Sequence, residues 1–347
     1  MSDLTKKRKK NIFRVVLFTA TIISLWFVPW TLVKAWIMPL PDTVQEQVNQ
    51  AIDHDLDGMI VYIDQAGKPP QFYAAGWHNR DSKIPARPDA LFKIASISKL
   101  YVALAIAKLA GDNSLSLDKS LTHYFPELKG RIENADSITL RMLVQHRSGI
   151  PNYTDSEGYW ANPPEGAQAS LELALDQPAL FEPGEDYEYS NTNYLLLGML
   201  MDTVLGYDHK AYIRAQILAP LQLQNTHFAL SEIDTATVMS GYHKGYKPDL
   251  KPQEFGMLAT AEDVGIFVRA LNEGRVFKDG EQEIYSQIYN YEHAGWVPGY
   301  QSFATYHKDI DTVVVVFNNT TDDDLLLWNL TEIIRNRIVK IVKKTST

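Results

Sequence analysis

Hydrophobic residues near the two ends of the chain alternate with polar ones or run together in short blocks, a pattern typical of β-strands. Residues 59–63 and 71–76 flank a turn-forming stretch rich in Gly and Pro, so we expect a hairpin there. Residues 299–306 and 312–317 flank a second polar turn and predict another hairpin. Strands are therefore expected near both termini.

Between these hairpins the apolar residues recur at helical spacing. Residues 96–109 are rich in Ala and Leu and lack Gly and Pro, and residues 194–205 are strongly apolar. Residues 322–342 begin with three carboxylates and are followed by two lysines, which suits the dipole of a long helix. We therefore predict an α+β fold, with one sheet assembled from both termini, flanking helices and an inserted helical subdomain.

The N-terminal stretch carries a different pattern. Residues 6–10 are five consecutive cations, and after Arg14 the 19 residues 15–33 carry no charge. A helix of this length can span a bilayer, and the basic cluster is expected to stay in the cytoplasm. We predict a cytoplasmic tail and one transmembrane signal anchor in residues 1–40. The domain at 41–347 would then be extracytoplasmic, in the periplasm or at the cell surface. A cleaved signal peptide is the alternative.

The composition of the chain excludes several kinds of partner and active site. The net charge of -9 argues against nucleic acid as the main partner, and the absence of cysteine excludes a thiol nucleophile, a thiolate metal site and disulfides. Residues 53–58 resemble the start of a calcium loop. A strand is expected to follow, however, and Asp64 stands where glutamate is usual, so a polar turn is favoured over a calcium-dependent adhesion module. No P-loop is present, and no cofactor or metal is predicted.

A Ser-x-x-Lys tetrad, Ser96 to Lys99, begins the first apolar helix. Residues three apart share a helix face, so Lys99 is expected beside Ser96, which also lies among the free N–H groups of the first turn. A hydroxyl next to an amine and to N–H donors can carry out acyl transfer. A capping serine followed by a surface lysine is the simpler interpretation. A second copy, Ser116 and Lys119, lies in a polar connection where no helix holds the pair together.

Two further motifs follow downstream. Tyr189-x-Asn191 precedes the second apolar helix and offers a phenol for proton transfer and an amide that donates and accepts hydrogen bonds. Taken alone, this motif is better explained by a Ser/Asn capping turn before the helix. His293-x-Gly295 enters the C-terminal pair of strands, where the backbone N–H of Trp296 would supply an oxyanion donor beside that of the serine.

Taken in order, these three motifs resemble those of the serine β-lactamase and penicillin-binding protein superfamily, in the branch of class C β-lactamases, D-alanyl-D-alanine carboxypeptidases and esterases. Flanking segments are similar as well: 92–95, 143–151, 183–184, 193–198 and 260–263. The resemblance covers roughly residues 45 to 340. It implies a β-lactamase/transpeptidase-like antiparallel sheet and a serine acyl-enzyme.

The resemblance also implies roles for the motif residues. Ser96 would be the nucleophile, Lys99 or Tyr189 the general base, and Asn191 the group that orients the lysine. His293 stands where many β-lactamases have lysine, and would assist Tyr189 or bind a substrate carboxylate. In this family, histidine at that position commonly accompanies peptidases and esterases.

The sequence leaves the substrate open. We expect a D-alanyl peptidase or esterase acting on a small-molecule or peptide acyl compound of the cell envelope. A class C-type β-lactamase is the alternative enzyme, and a non-catalytic, membrane-tethered binding protein is the alternative outside enzymes. The sequence does not indicate an oligomeric state.

Overall fold

The computed structural model describes the backbone of residues 3–346 and the side chains of residues 6–345. Residues 1–2 of the predicted cytoplasmic tail, and residue 347, lie outside the described part. The helices are α1 Asp3–Trp26, α2 Trp30–Ile37, α3 Val44–Ile52, α4 Ser98–Gly111, α5 Leu121–Tyr124, α6 Leu140–Val144, α7 Ala167–Glu172, α8 Asn191–Leu205, α9 His209–Ile213, α10 Ala261–Asn272, α11 Glu281–Ile288 and α12 Leu326–Ser346. The strands are β1 Gly58–Gln65, β2 Gln71–Asn79, β3 Ile84–Pro85, β4 Phe92–Lys93, β5 Thr226–His227, β6 Tyr242–His243, β7 Leu258–Ala259, β8 His293–Val297, β9 Tyr300–His307, β10 Thr312–Asn318 and β11 Thr320–Thr321.

The main sheet joins the two ends of the chain. Its six strands run in the order β3-β2-β1-β10-β9-β8, so the N-terminal hairpin pairs with the C-terminal one through β1 and β10. All these pairings are antiparallel, with Val61 opposite Val316 at the centre. Both hairpins predicted from the sequence are therefore confirmed, together with the α+β class.

Alternate residues of β1 and β10 face two separate layers of helices, because side chains on a strand point to opposite faces in turn. Val61 and Val316 pack with helices α3 and α12 in one buried cluster. Ile60 and Val315 pack against α4 and α10 in a larger cluster that also contains the inserted helices. Strand β8 is the last strand of the sheet, and it lies against the start of α4.

The N-terminal apolar segment is broken. Instead of one helix over residues 15–33, α1 ends at Trp26 and α2 begins at Trp30, with an angle of 82° between them. Pro29 precedes α2, and proline lacks the N–H that a continuous helix needs and clashes with the preceding turn. Within the described chain, no single helix meets the length and hydropathy needed to cross a membrane, although this bent pair meets both together.

Helix α2 is attached to the domain on one side. Ala35 is only 3% exposed, and Leu32 packs on the cluster formed by α3, α12 and the sheet. The carbonyls of Met38 and Pro39, which directly follow α2, each accept a hydrogen bond of 2.7 Å from Arg337 in α12. The opposite side of α2 is open, with Trp36 73% exposed.

Candidate active site

Ser96 lies in a single turn of 3₁₀-helix, Ala95–Ile97, that runs directly into α4. The chain reaches this turn from β4, which pairs with β7, so the serine is placed at the junction of a strand and a helix. Ala95 has a φ of +49°, a left-handed conformation that costs energy in a residue with a Cβ. Such strain is often found where a reactive side chain is presented to a cleft.

Lys99 lies one turn further along, as the tetrad predicts. Its Nζ is 3.0 Å from Ser96 Oγ and 2.7 Å from Asn191 Oδ1. The side chain is buried, and this burial lowers the pKa of Lys99 from its usual value of 10.5 to about 7. A neutral amine is therefore accessible near pH 7, and its lone pair can accept the proton of the serine hydroxyl.

The hydroxyl of Tyr189 also reaches Ser96. Its hydroxyl donates a hydrogen bond of 2.6 Å to Ser96 Oγ. Burial raises the pKa of Tyr189 well above the ordinary value of a tyrosine, although the hydrogen bond to Ser96 opposes this effect. The phenol is therefore neutral near pH 7 and acts as a proton donor in this arrangement.

His146 packs against Tyr189 and supports it. The sequence did not indicate this role. The imidazole stacks on the Tyr189 ring with the ring centres 4.4 Å apart, and the backbone N–H of Ser190 donates to His146 Nδ1 at 3.2 Å. Burial, with the nearby Lys99, lowers the pKa of His146 to about 3. His146 is therefore a neutral ring that fixes the position of the tyrosine.

Two residues that the sequence did not indicate hold Asn191. Asn152 Oδ1 accepts from the backbone N–H of Asn191 at 2.9 Å, and Thr154 Oγ1 accepts from Asn191 Nδ2 at 3.1 Å. With Nδ2 held in this way, Asn191 Oδ1 faces Lys99. Asn152 and Thr154 directly follow the turn at residues 146–151. The sequence similarity of that turn to the family is the only signal that could have indicated them.

Strand β8 passes the serine at close range. A Cβ on Gly295 would lie 2.5 Å from the carbonyl oxygen of Ile94 and 2.9 Å from the backbone nitrogen of Ser96. Only glycine allows this approach. The Ser302 hydroxyl on the neighbouring strand donates to the same Ile94 carbonyl at 2.8 Å, which ties β9 to the serine turn. The turn that carries Ser96 and the strand that carries Trp296 are thereby held together in the wall of the cleft.

His293 also lines the cleft, but its contacts differ from the expected ones. Its Nδ1 donates to the carbonyl of Ala294 at 2.5 Å, and its Nε2 accepts from the hydroxyl of Tyr289 at 2.8 Å. Within the described chain no hydrogen bond joins His293 to Tyr189. Burial, together with Lys99, lowers the pKa of His293 to about 4, so this ring is neutral at physiological pH.

The remaining sequence candidates lie elsewhere. Ser116 and Lys119 are in the connection between α4 and α5, where the Ser116 N–H is bound by the hydroxyl of Tyr124 at 2.8 Å. Asp57, in the stretch that resembles a calcium loop, pairs with Arg80 at 2.9 Å. That stretch is the turn between α3 and β1, as favoured from the sequence.

All seven predicted site residues therefore surround one cleft of about 1100 Å³, or lie in its wall. A serine activated by a buried lysine and a tyrosine, at the start of a helix beside an antiparallel sheet, defines a class of serine hydrolases. The chain belongs to the Beta-lactamase family, whose sequence profile matches residues 40–329.

Individual relatives agree with this assignment. Protein flp from Staphylococcus aureus is 30% identical over 228 residues, which cover 64% of this chain and 46% of that protein. Esterase EstB from Burkholderia gladioli is 26% identical over 245 residues, which cover 65% of this chain and 60% of that enzyme. The chain thus spans less than two thirds of the length of either relative.

Among solved structures, D-amino acid amidase from Ochrobactrum anthropi SV3 superimposes with a TM-score of 0.76. The match covers 88% of this chain and 98% of the amidase, at 22% sequence identity. This likeness shows the β-lactamase/transpeptidase-like fold expected from the sequence motifs.

Proposed function

We propose that this protein is a serine hydrolase that works through an acyl-enzyme on Ser96. One observation carries the proposal: Ser96 Oγ lies 3.0 Å from the amine of a buried lysine whose pKa is lowered to about 7, and 2.6 Å from a tyrosine hydroxyl. An activated nucleophile needs both a base within hydrogen-bonding distance and an acid for the leaving group.

In the first step, neutral Lys99 accepts the hydroxyl proton of Ser96 as Oγ attacks the carbonyl carbon. The oxyanion is bound by the backbone N–H groups of Ser96 and Trp296. Tyr189 donates its proton to the leaving oxygen or nitrogen as the carbonyl–leaving-group bond breaks, and the Lys99 ammonium returns a proton to the phenolate. Water then attacks the acyl-enzyme with the same groups acting in reverse, and Ser96 is restored.

Esters and amides of cell-envelope acyl compounds, including D-alanyl peptides, are the proposed substrates. An esterase among the relatives and a D-amino acid amidase among the structural neighbours support this range. Because His293 is neutral above about pH 4, it provides no fixed positive charge for a substrate carboxylate. Esters, amides and internal peptide bonds are therefore favoured over peptides whose free carboxylate lies beside the scissile bond.

A substrate-class screen tests the function. The full chain and its Ser96→Ala variant are given matched esters, D-amino acyl amides, D-alanyl peptides and the β-lactam nitrocefin. We expect Ser96-dependent turnover of esters or amides. Sustained nitrocefin turnover with little ester or amide hydrolysis would favour the class C-type β-lactamase instead. Absence of both turnover and covalent adduct would favour a non-catalytic binding protein.

We also propose that α1 and α2 attach the protein to a cell membrane, with the catalytic domain outside the cytoplasm. The apolar side chains of α1 are exposed, as are Trp30 and Trp36 of α2, and tryptophan favours the membrane interface. The 82° bend would let α1 enter the bilayer while α2 lies along its surface.

The cysteine-free chain allows a direct test of this attachment. Nitroxide labels on Phe18→Cys and Trp36→Cys, in protein reconstituted into vesicles, are expected to be accessible to oxygen and shielded from a water-soluble relaxation agent. A label on exposed Glu165→Cys serves as the aqueous control. Labels at 18 and 36 that behave like the control would contradict the proposal.

A further inference from the structure

Three aromatic side chains form one wall of the cleft. The ring of Trp160 meets Phe255 edge-on with the centres 5.8 Å apart, and meets Trp296 edge-on at 5.8 Å. All three line the cleft and are partly exposed to it. They come from three distant parts of the chain: the connection before α7, the loop before β7, and strand β8. We call these three side chains the aromatic wall.

The aromatic wall lies next to the reacting carbonyl. Trp296 follows Gly295, which passes the backbone nitrogen of Ser96 at close range, so its own N–H is an oxyanion donor in the proposed mechanism. Its indole Nε1 is buried and, within the described chain, has no hydrogen-bond partner. A buried donor without a partner costs free energy, so this ring is held by its packing against Trp160 and not by a hydrogen bond of its indole.

The charges around the wall disfavour an anion. Asp155, Glu254 and Glu292 line the same cleft and are exposed. The cationic side chains that line the described cleft are Lys99, which is bound to Asn191, and Arg335, which pairs with Glu332 at 3.3 Å. A neutral or cationic group is therefore better suited to this wall than a carboxylate.

A buried lysine holds the loop that carries Phe255. Lys93 is 1% exposed, and its Nζ donates to the carbonyls of Leu250 and Lys251 at 2.8 Å and of Gln253 at 2.5 Å. The three N–H bonds of an ammonium match these three acceptors, and Nζ lies 5.0 Å from the centre of the Phe255 ring. Lys93 belongs to β4, three residues before Ser96, so it links the loop to the strand that presents the nucleophile.

We propose that the aromatic wall is a specificity subsite that binds a flat aromatic or apolar, non-anionic group next to the scissile carbonyl, and that Lys93 is the positioning residue that holds it in place. The wall supplies edge and face contacts to a planar group. This inference rests on the proposed serine hydrolase function and names the substrate class of the same site.

The test uses two matched pairs of substrates, one for each side of the scissile bond. p-Nitrophenyl acetate and p-nitrophenyl phenylacetate differ in the acyl group, and ethyl acetate and benzyl acetate differ in the leaving group. In at least one pair, kcat/KM is expected to be about 10-fold or more higher for the phenylacetate or the benzyl ester than for its partner. An apolar pocket can supply discrimination of this size. Trp160→Ala and Phe255→Ala are expected to lower that ratio about 10-fold, mainly through KM.

Lys93→Met tests the positioning role. It is expected to lower the same ratio in the same direction as Phe255→Ala. Lys108→Met is the matched control, because Lys108 is also a buried lysine, 5% exposed, near the end of α4 away from Ser96. It donates to the carbonyl of Val276 and pairs with the buried Glu281 at 2.9 Å. This control is expected to keep the wild-type ratio even where its thermal midpoint falls.

Equal rates for both members of each pair, or variants that slow both members alike, would overturn the subsite. A ratio unchanged in a folded Lys93→Met would overturn the positioning role, and if that variant does not fold, Phe255→Ala still decides the subsite. Labelling of Ser96 by a fluorophosphonate is measured in parallel. Labelling without an aromatic preference rejects this inference alone, whereas absence of labelling rejects the proposed function.

Discussion

The Tyr189 hydroxyl donates a hydrogen bond of 2.6 Å to Ser96 Oγ, which also lies 3.0 Å from the Nζ of Lys99. Burial shifts the two pKa values in opposite directions. The pKa of Lys99 falls to about 7, and the pKa of Tyr189 rises above its ordinary value. In the proposed mechanism, Lys99 is therefore the base in acylation, and Tyr189 is the acid that protonates the leaving group.

Replacing Tyr189 with Phe is expected to affect amides more than activated esters. An amine leaving group needs a proton, whereas p-nitrophenolate leaves without one, so kcat/KM for an amide should fall by about 100-fold or more. The loss for a p-nitrophenyl ester should be at least about 10-fold smaller. The measurement is the ratio of the two losses in steady-state kinetics. Equal losses on both substrates would assign Tyr189 to deprotonating the serine instead.

The lowered pKa of Lys99 predicts the pH dependence of acylation. The base is active in its neutral form, so kcat/KM for an ester should rise with pH through an inflection near the pKa of about 7 and then level off. The measurement is single-turnover acylation between pH 5 and pH 9. Asn191→Asp places a carboxylate beside the ammonium, so it should raise the pKa of Lys99 and move the inflection to higher pH. An inflection near the ordinary lysine value in the unmodified protein would contradict this assignment.

Gly295→Ala should impair catalysis while the fold is kept. The added Cβ would lie 2.5 Å from the Ile94 carbonyl oxygen, which is expected to force β8 away from the serine turn and to displace the proposed oxyanion donor, the N–H of Trp296. Loss of one such donor typically lowers kcat by about 100- to 1,000-fold. Gly111→Ala is the control, because its Cβ would meet side-chain atoms only, Glu281 Cγ at 3.1 Å and Ile284 Cδ1 at 3.8 Å, at the end of α4 away from Ser96. Kinetics and circular dichroism are measured on both variants, and full activity in Gly295→Ala would refute the close approach.

His146 should make the protein less stable in mild acid. Its folded-state pKa of about 3 is below the usual 6.5, so between these values the unfolded chain binds the proton and the folded chain does not. The part of the stability that depends on His146 is therefore lost as pH falls below 6.5, by roughly 2 kcal/mol at pH 5. Urea unfolding at pH 7.5 and pH 5 measures this loss. His146→Gln should reduce it by a similar amount, and an unchanged pH dependence in that variant would contradict the assignment.

Much of the site could be predicted from the sequence because its motifs are short. Ser96 and Lys99 share a helix face, and Tyr189 and Asn191 are separated by one residue, so each pair could be recognised without the fold. The partners of these motifs could not be found in the same way. Asn152 reaches Asn191 across 39 residues of chain, and that contact depends on how two loops pack.

The N-terminal helix shows where hydropathy alone falls short. Residues 15–33 form one uncharged run, which favours a single helix, yet Pro29 divides it and α2 packs on the domain through Ala35. Hydropathy identifies apolar residues without telling whether lipid or protein covers them. The strand pairs, by contrast, were predictable, because their turns and alternation are encoded locally.

The most direct test of the central claim is the site of covalent labelling. The full chain is treated with a fluorophosphonate, and intact-mass and peptide mass spectrometry locate the adduct, with Ser96→Ala and Ser98→Ala as matched variants. Ser98 lies two residues away in the same cleft wall. We predict one adduct per chain, on Ser96, that persists in Ser98→Ala and disappears in Ser96→Ala. Undiminished labelling of Ser96→Ala, or an adduct on Ser98, would contradict the account.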